Sequence, residues 1–282
     1  MEASRQQTWL ITGAAGFLGR HLVVQAAARG HRVVAMVRGE EPVDAARTVR
    51  RELLDPCAFE GLAPDVVLNA AALSRVGDCE RDPQLAERVN RELPARIGRE
   101  LARAHIVHVS TDLVFGHQPV PAAGFSEVSE PEPASIYGAT KLAGERALAA
   151  ARPDALIVRL PLLSGDSYGR GVGATDALSA ALLRGERPRL FTDEFRTPLD
   201  VAVAARALVR LAELGTSGLL HVAGSSRLSR FQLGAASVGA AAVEPTTRAE
   251  AGCAERPADT SLDGRRALTL LGLRSIEELA ST

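Results

Sequence analysis

The chain has 282 residues, of which 46% are hydrophobic and 24% are charged, with a formal net charge of −1. These values are typical of a globular protein of one large domain or two closely packed ones, and they give no reason to expect a nucleic acid or an anionic membrane as partner. The polar residues 1–7 lack the apolar core of a signal peptide, and no run of about 18 uncharged apolar residues follows. Three widely spaced cysteines argue against a disulfide framework or a metal site. We therefore expect a cytoplasmic protein with no membrane span and no metal.

A glycine-rich turn follows the first predicted strand, residues 8–11, and precedes a helix that ends at Gly30. Gly13, Gly16 and Gly19 permit a tight turn and let a pyrophosphate approach the backbone at the N-terminus of the helix. The spacing is G-x-x-G-x-x-G, and a tight turn without a ligand would need the same glycines. The position directly after a strand near the N-terminus favours a dinucleotide site.

The second predicted strand, residues 31–37, ends at Arg38. A site that prefers NAD would place an acidic residue there, against the ribose 2′-hydroxyl, whereas an arginine can pair with a 2′-phosphate. The sequence therefore favours NADP(H). Glu40 and Glu41 keep NAD(H) as an alternative, and a solvated arginine at the end of a strand would need no ligand.

The next two predicted strands span residues 49–54 and 65–72. Asp55 follows the first of them and is a candidate for an adenine contact or only for a helix N-cap. The second strand runs into small residues that would let the backbone lie against a flat cofactor, namely Ala70, Ala71 and Ala72. The chain then continues as a polar loop and a long arginine-rich helix that Pro94 would kink or split, over residues 79–82 and 83–104.

The fifth predicted strand, residues 105–109, ends in Ser110-Thr111-Asp112. Hydroxyl and carboxylate groups at the carboxyl end of a strand lie where open α/β sheets bind ligands. Thr111 could instead cap a turn, and Asp112 could be an N-cap. His105 and His108 are interpreted as strand residues because no third metal ligand is near them in the sequence.

Lys141 is the only lysine of the chain, and it follows Tyr137 by four residues at the start of a predicted helix that runs to about residue 151. Positions i and i+4 share one face of a helix, so an ammonium group can lie near the phenol and favour its phenolate. A surface tyrosine beside a solvated lysine would have the same spacing. The pair is therefore a candidate for proton chemistry.

Strand and helix continue to alternate in the second half of the chain. Strands are predicted over residues 155–160 and 218–222, helices over 175–184 and 199–214, and loops after Pro161 and over 191–198. This alternation predicts an α/β fold of the Rossmann type, a doubly wound and mainly parallel sheet. We expect an NAD(P)-binding domain over residues 1–165, to which 186–223 return, and a smaller C-terminal substrate-binding lobe formed by 166–185 and 224–282.

Several sequence motifs of the chain together resemble those of the extended short-chain dehydrogenase/reductase superfamily. Within it, they resemble the dTDP-4-dehydrorhamnose reductase-like, sugar-nucleotide-binding proteins. They are the glycine turn, Asn69-Ala70-Ala71-Ala72, Ser110-Thr111-Asp112, Tyr137-Gly138-Ala139-Thr140-Lys141 and Arg196-Thr197-Pro198. The likeness spans about residues 8 to 215. The chain departs from the usual pattern on the substrate side, at Leu113, Gly116-His117 and Asp193-Glu194-Phe195, so the resemblance implies the chemistry more firmly than the substrate.

The resemblance implies hydride transfer from a nicotinamide to a substrate carbonyl. Tyr137 would act as general acid, Lys141 would lower the pKa of the tyrosine and bind the nicotinamide ribose, and Thr111 would donate a hydrogen bond to the carbonyl oxygen. The implied cofactor-binding residues, besides Tyr137 and Lys141, are Gly13, Gly16, Phe17, Leu18, Gly19, Arg38, Leu54, Asp55, Ala70, Ala71, Ala72 and Pro161. The implied substrate-binding residues are Ser74, Thr111, Asp112 and Arg196.

Two other functions share parts of this resemblance. A regulatory subunit without turnover, resembling that of methionine adenosyltransferase, would have no chemical need for Thr111, Tyr137 and Lys141 together. A nucleotide-sugar epimerase would need further acid and base residues. The dehydratases of the family carry an Asp-Glu pair after the threonine, and this chain lacks that pair after Thr111. The helices predicted over residues 83–104 and 137–151 are where this superfamily often pairs subunits, so a homodimer is an expectation from analogy.

Overall fold

A computed structural model describes residues 6–40 and 43–281 of the chain, so Glu41, one of the two residues that kept NAD(H) as an alternative, lies outside the described residues. The strands are β1 Thr8–Thr12, β2 Arg32–Val37, β3 Arg47–Arg50, β4 Val66–Asn69, β5 His105–Thr111, β6 Leu156–Leu160, β7 Leu163–Ser164, β8 Arg189–Phe191, β9 Phe195–Arg196, β10 Leu199–Asp200, β11 Gly218–His221, β12 Leu228–Ser229 and β13 Glu244–Thr246. The α-helices are α1 Phe17–Ala28, α2 Val76–Arg81, α3 Pro83–Ala86, α4 Leu93–Glu100, α5 Ile136–Ala151, α6 Asp176–Leu183, α7 Val201–Glu213, α8 Arg230–Val238 and α9 Arg265–Leu271.

The central sheet has seven strands in the order β11-β6-β5-β4-β1-β2-β3, and every neighbouring pair is parallel. The chain winds outward from β1 to β3 and then crosses to β4 on the other side of β1. This is the doubly wound Rossmann arrangement, which confirms the predicted fold class. Ligands of such sheets bind at the carboxyl ends of the strands, where the winding direction changes between β1 and β4.

Both faces of the sheet are covered by helices, which is why its central strands are rich in buried apolar residues. On one face, α1 and α7 bury Leu22 and Leu208 against the sheet. On the other face, α4 and α5 bury Ile97 and Leu148. The helix α7 begins at Val201, because the Asp200 carboxylate accepts hydrogen bonds from two backbone N–H groups of the first turn, at 2.9 and 3.1 Å.

Several predicted elements differ from the structure. β3 ends at Arg50, because the Arg51 side chain donates to the carbonyl groups of Cys57, Ala58 and Glu60 and folds the following residues into turns. Residues 79–82, predicted as a loop, belong mostly to α2, and the loop predicted over 191–198 contains the short strand β9. Such short elements depend on tertiary partners that a sequence pattern does not contain.

The predicted break at Pro94 is confirmed, although the helical region ends at Glu100 and not at residue 104. Pro94 has no N–H to donate to the carbonyl group of Asn90, and the chain forms a π-helical turn, Glu87–Glu92, immediately before it. Gly144 of α5 lies against that carbonyl group, where a Cβ atom would overlap the oxygen. No helix in the described part of the chain is long and apolar enough to cross a membrane.

Candidate active site

The glycine turn between β1 and α1 requires glycine at Gly13 and Gly19. Gly13 has a φ of 66°, and a Cβ atom on it would lie 2.9 Å from the backbone of Ala71. The N–H of Gly16 donates to the Gly13 carbonyl group at 2.8 Å, and a Cβ atom on Gly19 would overlap that carbonyl oxygen. The turn therefore lies directly against the end of β4, as the run of alanines predicted.

The first turn of α1 contains Phe17, Leu18 and Gly19, and no side chain caps it. Its backbone N–H groups are free to bind an anion such as a pyrophosphate, so this region fits a dinucleotide cofactor. The loop after β7 lies over the turn, because the Arg170 side chain donates to the Ala15 carbonyl group and Gly173 lies against the Phe17 ring.

The remaining predicted binding residues follow the carboxyl ends of β2, β3, β4 and β6. Arg38 is exposed directly after β2, and Leu54 is half-buried in the turns after β3. The Asp55 carboxylate accepts a hydrogen bond from the N–H of Cys57 at 2.8 Å, so it stabilises its own turn. Pro161 is buried directly after β6, and Ser74 is exposed after the alanine run.

The structure brings Thr111 and Tyr137 together. Ser135 caps α5 by accepting a hydrogen bond from Gly138, and Gly138 lies so close to the Leu113 carbonyl group that a Cβ atom would overlap it. This approach places the Tyr137 phenol near the Thr111 side chain. The Thr111 hydroxyl also accepts from the N–H of Leu113 at 3.1 Å, so it caps a turn as well as facing the tyrosine.

Burial raises the pKa of the Tyr137 phenol above its ordinary value, the hydrogen bond with Thr111 lowers it, and the nearby Asp112 and Cys79 raise it again. The lowering of this pKa by Lys141 stays a prediction. In this structure the Nζ atom of Lys141 donates to the carbonyl group of Val109 at 2.6 Å. A phenol with a raised pKa stays protonated, as a proton donor must.

Lys141 itself is 2% exposed. Burial lowers the pKa of its amine to about 8, against the opposing effect of Glu145 one helical turn away. The Nζ atom also lies 3.3 Å from Nε2 of His108. Both histidines of β5 do lie in the strand as predicted, but sequence reasoning missed the contact of His108 with Lys141 because 33 residues separate the two.

Asp112 and Arg196, both predicted to bind substrate, form a buried ion pair in which the Asp112 carboxylate lies 3.3 Å from Nε of Arg196. The Thr260 hydroxyl donates to the same carboxylate at 2.8 Å. Burial raises the pKa of Asp112 above its ordinary value, against the opposing effects of the Arg196 charge and of the hydrogen bonds from two threonines. Sequence reasoning missed Thr260, which is 148 residues away and carries no local motif.

A second carboxylate extends this cluster. Glu194 accepts hydrogen bonds of 2.6 and 3.0 Å from Arg256 and lies 3.5 Å from Arg196. Burial raises the pKa of Glu194, but the hydrogen bond of Arg256 and the charges of Arg196, Arg256 and Arg230 outweigh it and lower that pKa. The charges of three guanidinium groups, Arg196, Arg230 and Arg256, therefore act on this pair of carboxylates. No group of His, Cys, Asp and Glu suited to a metal ion occurs among residues 6–40 and 43–281.

The doubly wound sheet, the glycine turn at its carboxyl edge and the Thr111, Tyr137 and Lys141 side chains define an oxidoreductase of the short-chain dehydrogenase/reductase type. The chain belongs to the family described as RmlD substrate binding domain, whose model matches residues 7–278.

A dTDP-4-dehydrorhamnose reductase of Mycolicibacterium smegmatis is 33% identical over 272 residues, which are 92% of this chain and 79% of that protein. A crystal structure of a hypothetical dTDP-4-dehydrorhamnose reductase from Sulfolobus tokodaii is 30% identical, with a TM-score of 0.80 and coverage of 95% of this chain and 96% of that one. The dTDP-4-dehydrorhamnose reductase of Bacillus anthracis, crystallised in complex with NADP, shares the fold at 23% identity, with a TM-score of 0.79 and coverage of 98% and 96%. These similarities confirm the predicted superfamily and the oxidoreductase class.

Proposed function

We propose that the protein reduces a keto group on a nucleotide sugar of the dTDP-4-keto-6-deoxysugar type, or a similar small keto compound, with NADP(H). The observation that carries this proposal is the approach of the Tyr137 phenol to Thr111 at the carboxyl end of β5, with the buried Lys141 one helical turn after the tyrosine. The relatives named above as dTDP-4-dehydrorhamnose reductases support the substrate class.

In the proposed mechanism Tyr137 donates its phenolic proton to the alkoxide that develops when the carbonyl is reduced. Its raised pKa keeps that proton available across the neutral range. Thr111 donates a hydrogen bond to the same oxygen and so favours the transition state, in which the negative charge appears. Lys141 would hold the ribose of the cofactor, which would supply the hydride when bound.

The proposed cofactor site is the surface formed by the glycine turn and the alanines after β4, with Pro161 and the turn at Leu54 and Asp55 beside it. The close approach of Gly13 to Ala71 supports this assignment, because it opens flat backbone to a ligand. Arg38 is exposed where a 2′-phosphate would lie, which favours NADP(H) over the alternative NAD(H).

The proposed substrate site combines Asp112 and Arg196 with Ser74, and the substrate-binding lobe of residues 166–185 and 224–282 completes it. Arg230 and Arg256 come from that lobe and add positive charge beside Glu194. Three arginines against two carboxylates leave an excess of positive charge, which suits an anionic substrate such as a nucleoside diphosphate sugar.

The test is the substitution Tyr137→Phe, with Tyr168→Phe as the matched control, since these are the only two tyrosines of the chain. The Tyr168 side chain is 46% exposed, and its hydroxyl lies 3.5 Å from His21. NADPH consumption with a dTDP-4-keto-6-deoxysugar should fall by about 10²–10⁴-fold in Tyr137→Phe, the range for loss of a general acid. NADPH binding, followed by its fluorescence, should persist in both variants.

Undiminished turnover in Tyr137→Phe would overturn the role of the tyrosine. A wild-type protein that binds NADPH but oxidises none with any keto sugar would favour the regulatory alternative. Interconversion of sugar epimers without net consumption of NADPH would favour the epimerase.

A further inference from the structure

A buried chain of four polar side chains crosses the centre of the sheet and ends at Lys141. The Thr12 hydroxyl donates to Oδ1 of Asn69 at 2.6 Å, Nδ2 of Asn69 lies 2.9 Å from Nδ1 of His108, and Nε2 of His108 lies 3.3 Å from Nζ of Lys141. Each of the four residues is at most 2% exposed. The parallel register builds the chain, because Thr12 is paired with Asn69 and Asn69 with His108 in neighbouring strands.

The direction of these hydrogen bonds follows from one backbone group. The N–H of Ala71, which can only donate, lies 3.3 Å from Oδ1 of Asn69. The oxygen of the Asn69 amide must therefore face Ala71 and Thr12, and its Nδ2 must donate to Nδ1 of His108. An imidazole that accepts at Nδ1 carries its proton at Nε2 when it is neutral, and Nε2 is the atom that faces Lys141.

This arrangement distinguishes the two protonation states of Lys141. The Nζ atom already donates to the Val109 carbonyl group in either state. A charged ammonium has no lone pair, so its N–H groups would face the Nε2–H group of His108, and neither could accept a hydrogen bond. A neutral amine has a lone pair that can accept a hydrogen bond from Nε2–H. The contact between Nε2–H of His108 and Nζ of Lys141 is therefore a hydrogen bond only when the amine is neutral.

We propose that Thr12, Asn69 and His108 are positioning residues that hold the Nε2–H tautomer of His108 against Lys141 and thereby make Lys141 a group that gains and loses a proton near neutral pH. The lysine would then take up and release a proton next to Tyr137, beyond serving as a fixed charge.

The other charged groups around these side chains are consistent with this role. Glu145, on the same helix, favours the charged lysine, but its carboxylate already accepts hydrogen bonds from Arg159, the shortest at 2.7 Å. Burial, followed by the charge of Lys141, holds the pKa of His108 well below the ordinary value. Burial lowers the pKa of Lys141 to about 8.

The single lysine of the chain makes a direct test practical. Lysine labelled with ¹³C at Cε should give one side-chain resonance in the full-length protein, and its pH titration reports the protonation of Lys141. The expected midpoint is about 8, compared with about 10.4 for an unperturbed lysine. Imidazole ¹⁵N shifts of histidine-labelled protein should assign the proton of His108 to Nε2.

The substitution His108→Gln provides the second measurement. Glutamine can turn its amide oxygen toward Nζ and accept from the ammonium, so the midpoint should rise by about one pH unit or more, a tenfold tighter hold on the proton. His105→Gln, the same change in the same strand, should leave the midpoint unchanged.

The proposal would be overturned by a wild-type midpoint near that of free lysine, by a proton on Nδ1 of His108, or by no shift in His108→Gln. The wild-type spectra decide the first two points even if the variant does not fold, and no turnover is needed, so failure of the proposed reductase function would be recognised separately.

Discussion

Arg159 of β6 and Glu145 of α5 form an ion pair whose side chains are only 3% and 6% exposed. The guanidinium donates three hydrogen bonds of 2.7 to 3.2 Å to the carboxylate, and the Ser110 hydroxyl donates to the same group. Glu145 lies one turn after Lys141. The pair therefore links α5, the helix that contains Tyr137 and Lys141, to β5 and β6 in the sheet.

The substitution Glu145→Gln should destabilise the fold by about 3–5 kcal/mol, because it leaves the buried Arg159 charge without a partner. Glu186→Gln is the matched control, since Glu186 pairs with Arg184 at 2.6 Å on the exposed surface, where ion pairs contribute little. Unfolding in urea, followed by circular dichroism, measures both. Equal stability of the two variants would contradict the structural role of the pair.

His221 predicts how stability depends on pH. Its Nδ1–H donates to the Phe125 carbonyl group at 2.9 Å, and its Nε2 accepts from Arg159 at 3.4 Å, so the folded protein holds the ring neutral. Burial and the charge of Arg159 lower its pKa from 6.5 to about 4. Between these values the unfolded chain binds a proton that the folded chain does not, so stability falls as the pH drops from about 6.5 to about 4.

The loss from His221 should reach about 3 kcal/mol at the acidic end of this window. His221→Gln should show a weaker dependence of the unfolding free energy on pH, measured in urea at several pH values. The exposed His117 serves as control, because His117→Gln should keep the wild-type dependence. Parallel pH curves for wild type and His221→Gln would show that the ring is not held neutral.

Gly19→Ala should damage both the fold and cofactor binding. The new Cβ atom would overlap the Gly13 carbonyl oxygen, and overpacking of this kind costs about 1–3 kcal/mol. Gly77→Ala is the matched control, because Gly77 is exposed in α2 and no atom lies within 4 Å of the position that its new methyl group would occupy. Thermal unfolding and NADPH fluorescence should separate the two variants, and a Gly19→Ala protein with unchanged affinity would argue against a pyrophosphate at this turn.

Arg38→Ala tests the cofactor preference. The variant should bind NADPH about ten- to a hundredfold more weakly, the loss expected for a hydrogen bond to a charged group, and should bind NADH as before. Arg32, at the other end of β2, is also exposed and provides the control Arg32→Ala. The two dissociation constants of each variant can be measured by fluorescence titration. Equal weakening for both cofactors would assign Arg38 a general electrostatic role.

The local sequence pattern was sufficient to predict those elements whose determining residues lie within the element itself. The alternation of strand and helix predicted the sheet, the Gly13 turn contains the residues that its geometry requires, and Pro94 predicted the break before α4. β3 was misplaced because the contacts of Arg51 with distant carbonyl groups end it. The short strand β9 was missed because its partners lie beyond any local window.

The sequence by itself determined that Tyr137 and Lys141 share a helical face and follow a dinucleotide-type turn, because a spacing of four residues and a run of glycines act within one or two turns of backbone. Only the tertiary structure decided what these side chains contact. Lys141 turns toward Val109 and His108, and Asp112 meets Thr260 and Arg196, because parallel register and the returning C-terminal segment bring together atoms from distant parts of the chain. Burial at those meeting points sets the proton affinities, and burial is a property of the packed fold.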